Sequence, residues 1–132
     1  MPIVLTALAA LVSLVVLVAA TTRPAYAHHG TAQYDFGGDT VLQAVVSEYT
    51  FESPHIWLRV RAPDKDGKMA EWSLEGPPPF YAVDHGWTRD SLRPGQRVVV
   101  AMAPHKRQAH AGLIISVAEP GGKPFLERGR RY

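Results

Sequence analysis

Six histidines hold most of the chemical potential of this 132-residue sequence: His28, His29, His55, His85, His105 and His110. There is no cysteine, which excludes disulfides and thiolate metal centres and leaves imidazole and amine nitrogens as the ligands to consider. His28 directly follows Ala25-Tyr26-Ala27, a small-x-small pattern that signal peptidase cuts. Cleavage there makes His28 the new terminus, so its amine and its ring Nδ1 can chelate one metal ion. A second imidazole from the folded body would complete a three-nitrogen, T-shaped set. Cu(II) suits such a set, being the most strongly bound divalent first-row ion and tolerant of tetragonal geometry. Reference pKa values of about 7.7–8.0 for the amine and about 6.5 for imidazole leave little proton competition near neutrality. His55 is the preferred second ring, because Pro54 fixes the chain leading into it, while His29 offers a more flexible local chelate. His105 and His110 flank a loop at a spacing with no fixed geometry, and a closed zinc site has no matching pattern.

Protein-only catalysis finds no support. The sequence holds no G-x-S-x-G element and no phosphate loop, and Asp84-His85 are chain neighbours, which seldom form an acid–base pair. A non-catalytic binding protein is expected. Its compartment is read from the apolar run Ile3 to Ala20, interrupted only by Thr6 and Ser13, followed by the helix breaker Pro24. The run sits at the short end of what spans a bilayer, about 17–25 residues, and the cleavage pattern favours a signal peptide over residues 1–27. No Lys or Arg precedes the run, which departs from the usual signal-peptide pattern. The expectation is a periplasmic or secreted protein with no stable membrane anchor after processing. Arg23 is the one basic residue before His28, so the processed chain carries a net charge of only +1. A nucleic-acid partner is therefore not expected.

The elements that must position these residues are short strands. Val41 to Phe51 forms the first, with Leu42, Ala44 and Val46 in one register and Tyr49 and Phe51 in the other. That parity switch near Ser47-Glu48 is what a β-bulge produces. His55 to Ala62 alternates next, placing Ile56, Leu58, Val60 and Ala62 inward and His55, Trp57, Arg59 and Arg61 outward. Asp64-Lys65-Asp66-Gly67 marks a hairpin, and Met69 to Gly76 returns with Ala70, Trp72 and Leu74 inward. The hairpin is expected to set Arg59 and Arg61 near Glu71 and Glu75. After Pro77-Pro78-Pro79, Phe80 to His85 reads as a helical turn closed by Gly86. Arg97 to Ala103 and Leu113 to Ala118 are the last two strands, and 123–132 reads as a basic tail.

Three strands, a short helical insert and two strands give an all-β domain over 28–122, a small five-stranded antiparallel barrel of OB-fold-like layout. Such barrels bind ligands across the outer face of strands two and three. Here that face offers Trp57, Arg59 and Arg61, the basis for an alternative in which a protein or glycan is bound without metal. Trp57 has a second use, packing beneath the 77–87 loop. The expected partner is an envelope protein or a small ligand.

Five short patterns occur in order: His28-His29-Gly30, Ser53-Pro54-His55-Ile56-Trp57, Glu71-Trp72-Ser73-Leu74-Glu75-Gly76, Gly86-Trp87-Thr88 and Leu92-Arg93-Pro94-Gly95. Together they resemble a domain-of-unknown-function family of small exported bacterial proteins. The resemblance runs from His28 to about Glu119 and implies location and architecture, with no activity attached. It marks His28, His29, Pro54, His55, Trp57, Trp72 and Trp87 as the positions the family pattern uses. This chain has Ser53 where members typically carry Asn, and Ala44 where many carry glycine.

Overall fold

The structure is a computed structural model and describes residues 30–128. The segment read as a signal peptide and two of the expected metal ligands, His28 and His29, lie outside the described residues. Six strands form one sheet: β1 (Thr40–Thr50), β2 (Trp57–Pro63), β3 (Met69–Glu75), β4 (Arg97–Pro104), β5 (Ala111–Ala118) and β6 (Pro124–Glu127). A six-residue helix, α1 (Pro79–Asp84), lies between β3 and β4, and a 3-10 turn (Thr31–Gln33) precedes β1. β1 pairs with β2 and β4, β2 with β3, β4 with β5, and β3 closes onto β5. The barrel therefore runs β1-β2-β3-β5-β4 and back to β1, the expected OB-like closure. The closing β3–β5 pair is parallel, whereas the other barrel pairs are antiparallel.

The inward positions follow the alternation of the sequence. Leu42, Ala44 and Val46 on β1 are buried, as are Ile56, Leu58, Val60 and Ala62 at and along β2. Val98, Val100 and Met102 face them from β4, with Ile114 and Val117 from β5. Burying each such side chain contributes roughly 1.5–3 kcal/mol, so this interior is the main source of stability in a chain without cross-links. The register of β1 against β2 shifts between Val46 and Glu48, which places the bulge at Ser47 as the parity switch requires.

The bulge has a consequence for the outer face. Beyond it, Glu48 stands opposite Arg59, and the two side chains pair at 3.3 Å. The expected pairing of Arg59 and Arg61 with Glu71 and Glu75 is thereby corrected. Arg61 does lie opposite Glu71, but Arg59 faces Ser73 across β2–β3 and Glu48 across β1–β2. Glu75 is engaged elsewhere.

Helix α1 begins at Pro79, where the missing N–H costs nothing. Gly86 ends it at φ +81°, a left-handed conformation that lets the Trp87 N–H return to the Ala82 carbonyl at 3.0 Å. That turn drives Trp87 into the core, fully buried, while Phe80 remains 80% exposed. The presumed tail is shorter than expected, because β6 extends the sheet past residue 122. Leu126 is buried at 1% exposure, and the Glu127 carbonyl accepts from the Trp87 indole at 3.4 Å.

Candidate functional site

Four of the six histidines fall within the described residues, and three of them serve local structure. His85 stacks on Tyr81, with its Nδ1 2.9 Å from the Tyr81 carbonyl. His105 Nδ1 accepts backbone N–H groups of Arg107 and Gln108, closing the β4–β5 turn. His110 adopts φ +52° and packs edge-on against Trp72, and its carbonyl accepts from Ser73 N beside the β3–β5 junction. His55 is placed differently.

His55 is pinned by the start of β2. The Ile56 N–H donates to the Pro77 carbonyl, and the Gly76 N–H returns to the Ile56 carbonyl at 2.7 Å. A side chain at Gly76 would press on Ile56, so glycine is what allows this close approach. Together with the cis Ser53–Pro54 peptide, these bonds define the backbone that carries His55. Its Nδ1 lies 3.1 Å from Glu75 Oε1 and 3.3 Å from the Gly76 carbonyl oxygen. Both neighbours are acceptors, so Nδ1 carries the proton and the neutral ring has its lone pair on Nε2.

The other Glu75 oxygen accepts the Tyr34 hydroxyl. Burial, then the hydrogen bond to the carboxylate, raises the Tyr34 phenol well above its ordinary pKa, so it remains a proton donor throughout the physiological range. Tyr34 arrives through a strap, the segment from Gly30 to Phe36 bound across the β4–β5 hairpin. The Asp35 N–H donates to Pro104 O, the Lys106 N–H to Gln33 O and the Lys106 ammonium to Ala32 O. Beneath it, Tyr34, Ala103 and Leu113 form a small apolar cluster of their own. Arg128, just beyond β6, completes the setting. Burial lowers its pKa while the nearby Glu75 carboxylate opposes that effect, and its Nη1 is a buried donor without a hydrogen-bond acceptor among the described residues.

These residues surround a cleft of about 100 Å³ lined by Gly30, Gln33, Tyr34, His55, Glu75 and Arg128 among others. Among the described residues, no group of three or more His, Cys, Asp or Glu side chains is placed to hold a metal ion. His55 with Glu75 supplies one oriented imidazole and a carboxylate behind it.

A second concavity, of about 350 Å³, opens on the outer face of β1, β2 and β3. Glu48, Thr50, Trp57, Arg59 and Ser73 line it. Trp57 is 41% exposed here, so it forms part of a surface and is not buried under the 77–87 loop. Arg61 lies farther along β2, paired in register with Glu71, outside this lining. The structure thus brings Trp57 and Arg59 together, and leaves Arg61 and His55 apart from that groove.

The sequence of the whole domain points to one relationship. A family model described as a family of unknown function (DUF6152) matches residues 14–116. The chain belongs to this family. The expected resemblance to a domain-of-unknown-function family holds, and with it the small β-barrel. No curated protein and no solved structure matches this DUF6152 member.

Sequence reasoning missed Tyr34, Glu75 and Arg128 as companions of His55. Glu75 shares an outward face with Glu71, and alternation assigned both to arginines. Tyr34 lies before the first strand and Arg128 in the presumed tail, where no periodicity announces a packed role. The one usable signal was glycine: Gly76 follows Glu75 and marks a close backbone approach at the strand end.

Proposed function

We propose that this DUF6152 member is exported, cut after Ala27, and binds Cu(II) through the amine and ring of His28 together with His55. One observation carries the reading: Gly30, two residues beyond His28, lines the same cleft as His55. Two residues span at most about 7 Å, so position 28 need be no farther than that from Gly30 for its amine and ring to serve the cleft that His55 lines. The carboxylate behind His55 adds to it. Metal-binding histidines commonly donate their second ring N–H to a carboxylate or carbonyl, which fixes the tautomer and raises the basicity of the ligating nitrogen. Nδ1 of His55 does both, to Glu75 and to the Gly76 carbonyl. The role is non-catalytic metal handling outside the cytoplasm. No helix among the described residues is long and apolar enough to cross a bilayer.

The test is a Cu(II) titration against a competing chelator, using processed protein whose first residue is verified by mass spectrometry. One-to-one binding far tighter than a His-His-Gly peptide is expected, weakened by His55→Ala and by one extra glycine before His28. Affinity no greater than that of the peptide, or unaffected by His55→Ala, overturns the reading.

A further inference from the structure

The groove on the opposite part of the sheet face has its own chemistry, independent of any metal. Register assembles it as a grid across three strands. One row is Glu48, Arg59 and Ser73, and the next is Thr50, Trp57 and Glu75. Five of these six line the groove, and Glu75 turns away into the His55 cleft. We propose that this groove binds a neutral sugar unit of a glycan, with Trp57 as the stacking platform and Arg59, Glu48, Thr50 and Ser73 as hydroxyl partners.

Four features select that ligand class. The groove volume falls at the lower end of small-molecule sites, roughly 300–1,000 Å³, which suits a sugar residue and not an extended polymer footprint. Arg59 is paired with Glu48, and both are more than half exposed, so the groove is close to neutral. A phosphate or nucleic-acid backbone would meet Glu48 as a repulsive neighbour, whereas a neutral polyol meets a donor fork and an acceptor side by side. Thr50 and Ser73 add hydroxyls that donate and accept, matching sugar hydroxyls that do the same. Lastly, Trp57 and Arg59 lie on a strand paired on both sides, and Ser73 pairs with both Arg59 and Ala111. At Trp57, Arg59 and Ser73 the groove floor therefore has no free ladder for a peptide strand to extend, and recognition there falls to side chains.

Tryptophan emission reads the test directly. Of the three tryptophans, Trp87 is fully buried, Trp72 is partly buried and Trp57 is exposed in the groove. Processed protein is titrated with tri-N-acetylchitotriose and with cellotriose, both neutral, and with a short oligodeoxythymidylate and an unstructured peptide. A saturable emission change is expected for at least one sugar, with a Kd on the order of 1 mM or tighter. Because Trp57 is itself the reporter, the variants are read by isothermal titration calorimetry: Trp57→Ala abolishes binding, and Arg59→Gln weakens it roughly tenfold, the effect expected for losing one charged hydrogen-bonding partner. Trp72→Phe leaves it in place. Should Trp57→Ala disturb the fold, Trp57→Phe keeps an aromatic platform and retains binding. No saturable response to either sugar overturns the proposal. So does a response that survives Trp57→Ala in folded protein, or tighter binding of the oligonucleotide or the peptide than of either sugar.

Discussion

Replacing Glu75 by glutamine changes one atom of a nearly buried side chain and should separate the roles of its two hydrogen bonds. Glu75 is 14% exposed and accepts both the Tyr34 hydroxyl and the His55 Nδ1–H. A glutamine keeps the shape but offers one oxygen and one NH₂ group. With its oxygen toward His55 the amide can still donate to the Tyr34 hydroxyl oxygen, but both bonds lose the carboxylate charge and the Tyr34 O–H loses its acceptor. Turned the other way, the NH₂ group faces the His55 Nδ1–H. Hydrogen bonds to a charged group contribute about 1.5–3 kcal/mol each, so Glu75→Gln is expected to lower folding stability by about that amount. Tyr34→Phe keeps a ring that is 4% exposed and removes only the hydroxyl, with a similar cost of about 1.5–3 kcal/mol. The double variant tests the coupling. Because both single changes break the same bond, the pair should cost clearly less than the sum, by at least about 1 kcal/mol.

Urea unfolding of the four proteins, with a common denaturant slope, gives the cycle. A coupling below about 0.5 kcal/mol, the range seen for distant residues, would refute the view that Tyr34, Glu75 and His55 act as one network. The same variant has a separate reading on the metal. Glu75→Gln should weaken Cu(II) binding about 10–100-fold through misorientation of His55, as outer carboxylate partners generally do. Strong coupling in the unfolding cycle with unchanged copper affinity would leave the network intact and remove the metal from it.

Three further outcomes follow from packing and charge. Gly112→Ala places a methyl 2.3 Å from Met102 Sδ and 2.9 Å from the Ala103 carbonyl oxygen, and the carbonyl belongs to a strand that cannot yield. A loss of about 1–3 kcal/mol is expected in thermal or urea unfolding, as for other overpacked cores. Leu126→Ala should cost about 2–5 kcal/mol, since the side chain is 1% exposed, whereas a disordered tail would tolerate it without change. Tyr49 is pushed up to about 12, mainly by burial, while its hydroxyl donates to the Thr88 carbonyl. The raised value means the fold favours the neutral phenol, so this contribution is fully present below about pH 10 and is lost as pH rises toward 12. Tyr49→Phe should therefore show a flatter alkaline limb than the parent in unfolding measured between about pH 9 and pH 11.

The barrel was legible because two-residue periodicity is imposed by the pleat itself. Leu42, Ala44 and Val46, then Ile56 to Ala62, announce their burial without reference to anything distant. The bulge at Ser47 was legible for the same reason, as a break in parity. Partners across strands were not legible, because they depend on how far one strand has slid against another. Arg59 finds Glu48 only because the bulge advances the register by one, and a chain read in isolation gives that arginine to β3 instead. Still less visible were contacts made by segments without periodicity. Tyr34 reaches Glu75 through a strap held by backbone bonds to the β4–β5 hairpin, and Arg128 arrives by way of β6. His28 and His29 were legible as chemistry and lie outside the described residues.

Trp57 and Glu75 are register partners on β2 and β3, and this pairing links the two candidate sites. Their side chains serve different concavities: Trp57 lines the groove and Glu75 the His55 cleft. One strand row therefore borders both, and a ligand seated on Trp57 lies next to the carboxylate that orients His55. If the two sites act independently, Trp57→Ala leaves Cu(II) affinity unchanged, and Glu75→Gln leaves sugar binding unchanged. If they are coupled, occupancy of one must change the affinity of the other by the same factor in both directions, because linkage between two equilibrium binding events is reciprocal. Measuring copper affinity with and without saturating sugar, and sugar affinity with and without copper, distinguishes the two cases. A factor of one in both directions means that the groove and the His55 cleft are independent; unequal factors mean that the two titrations do not report the same pair of equilibria.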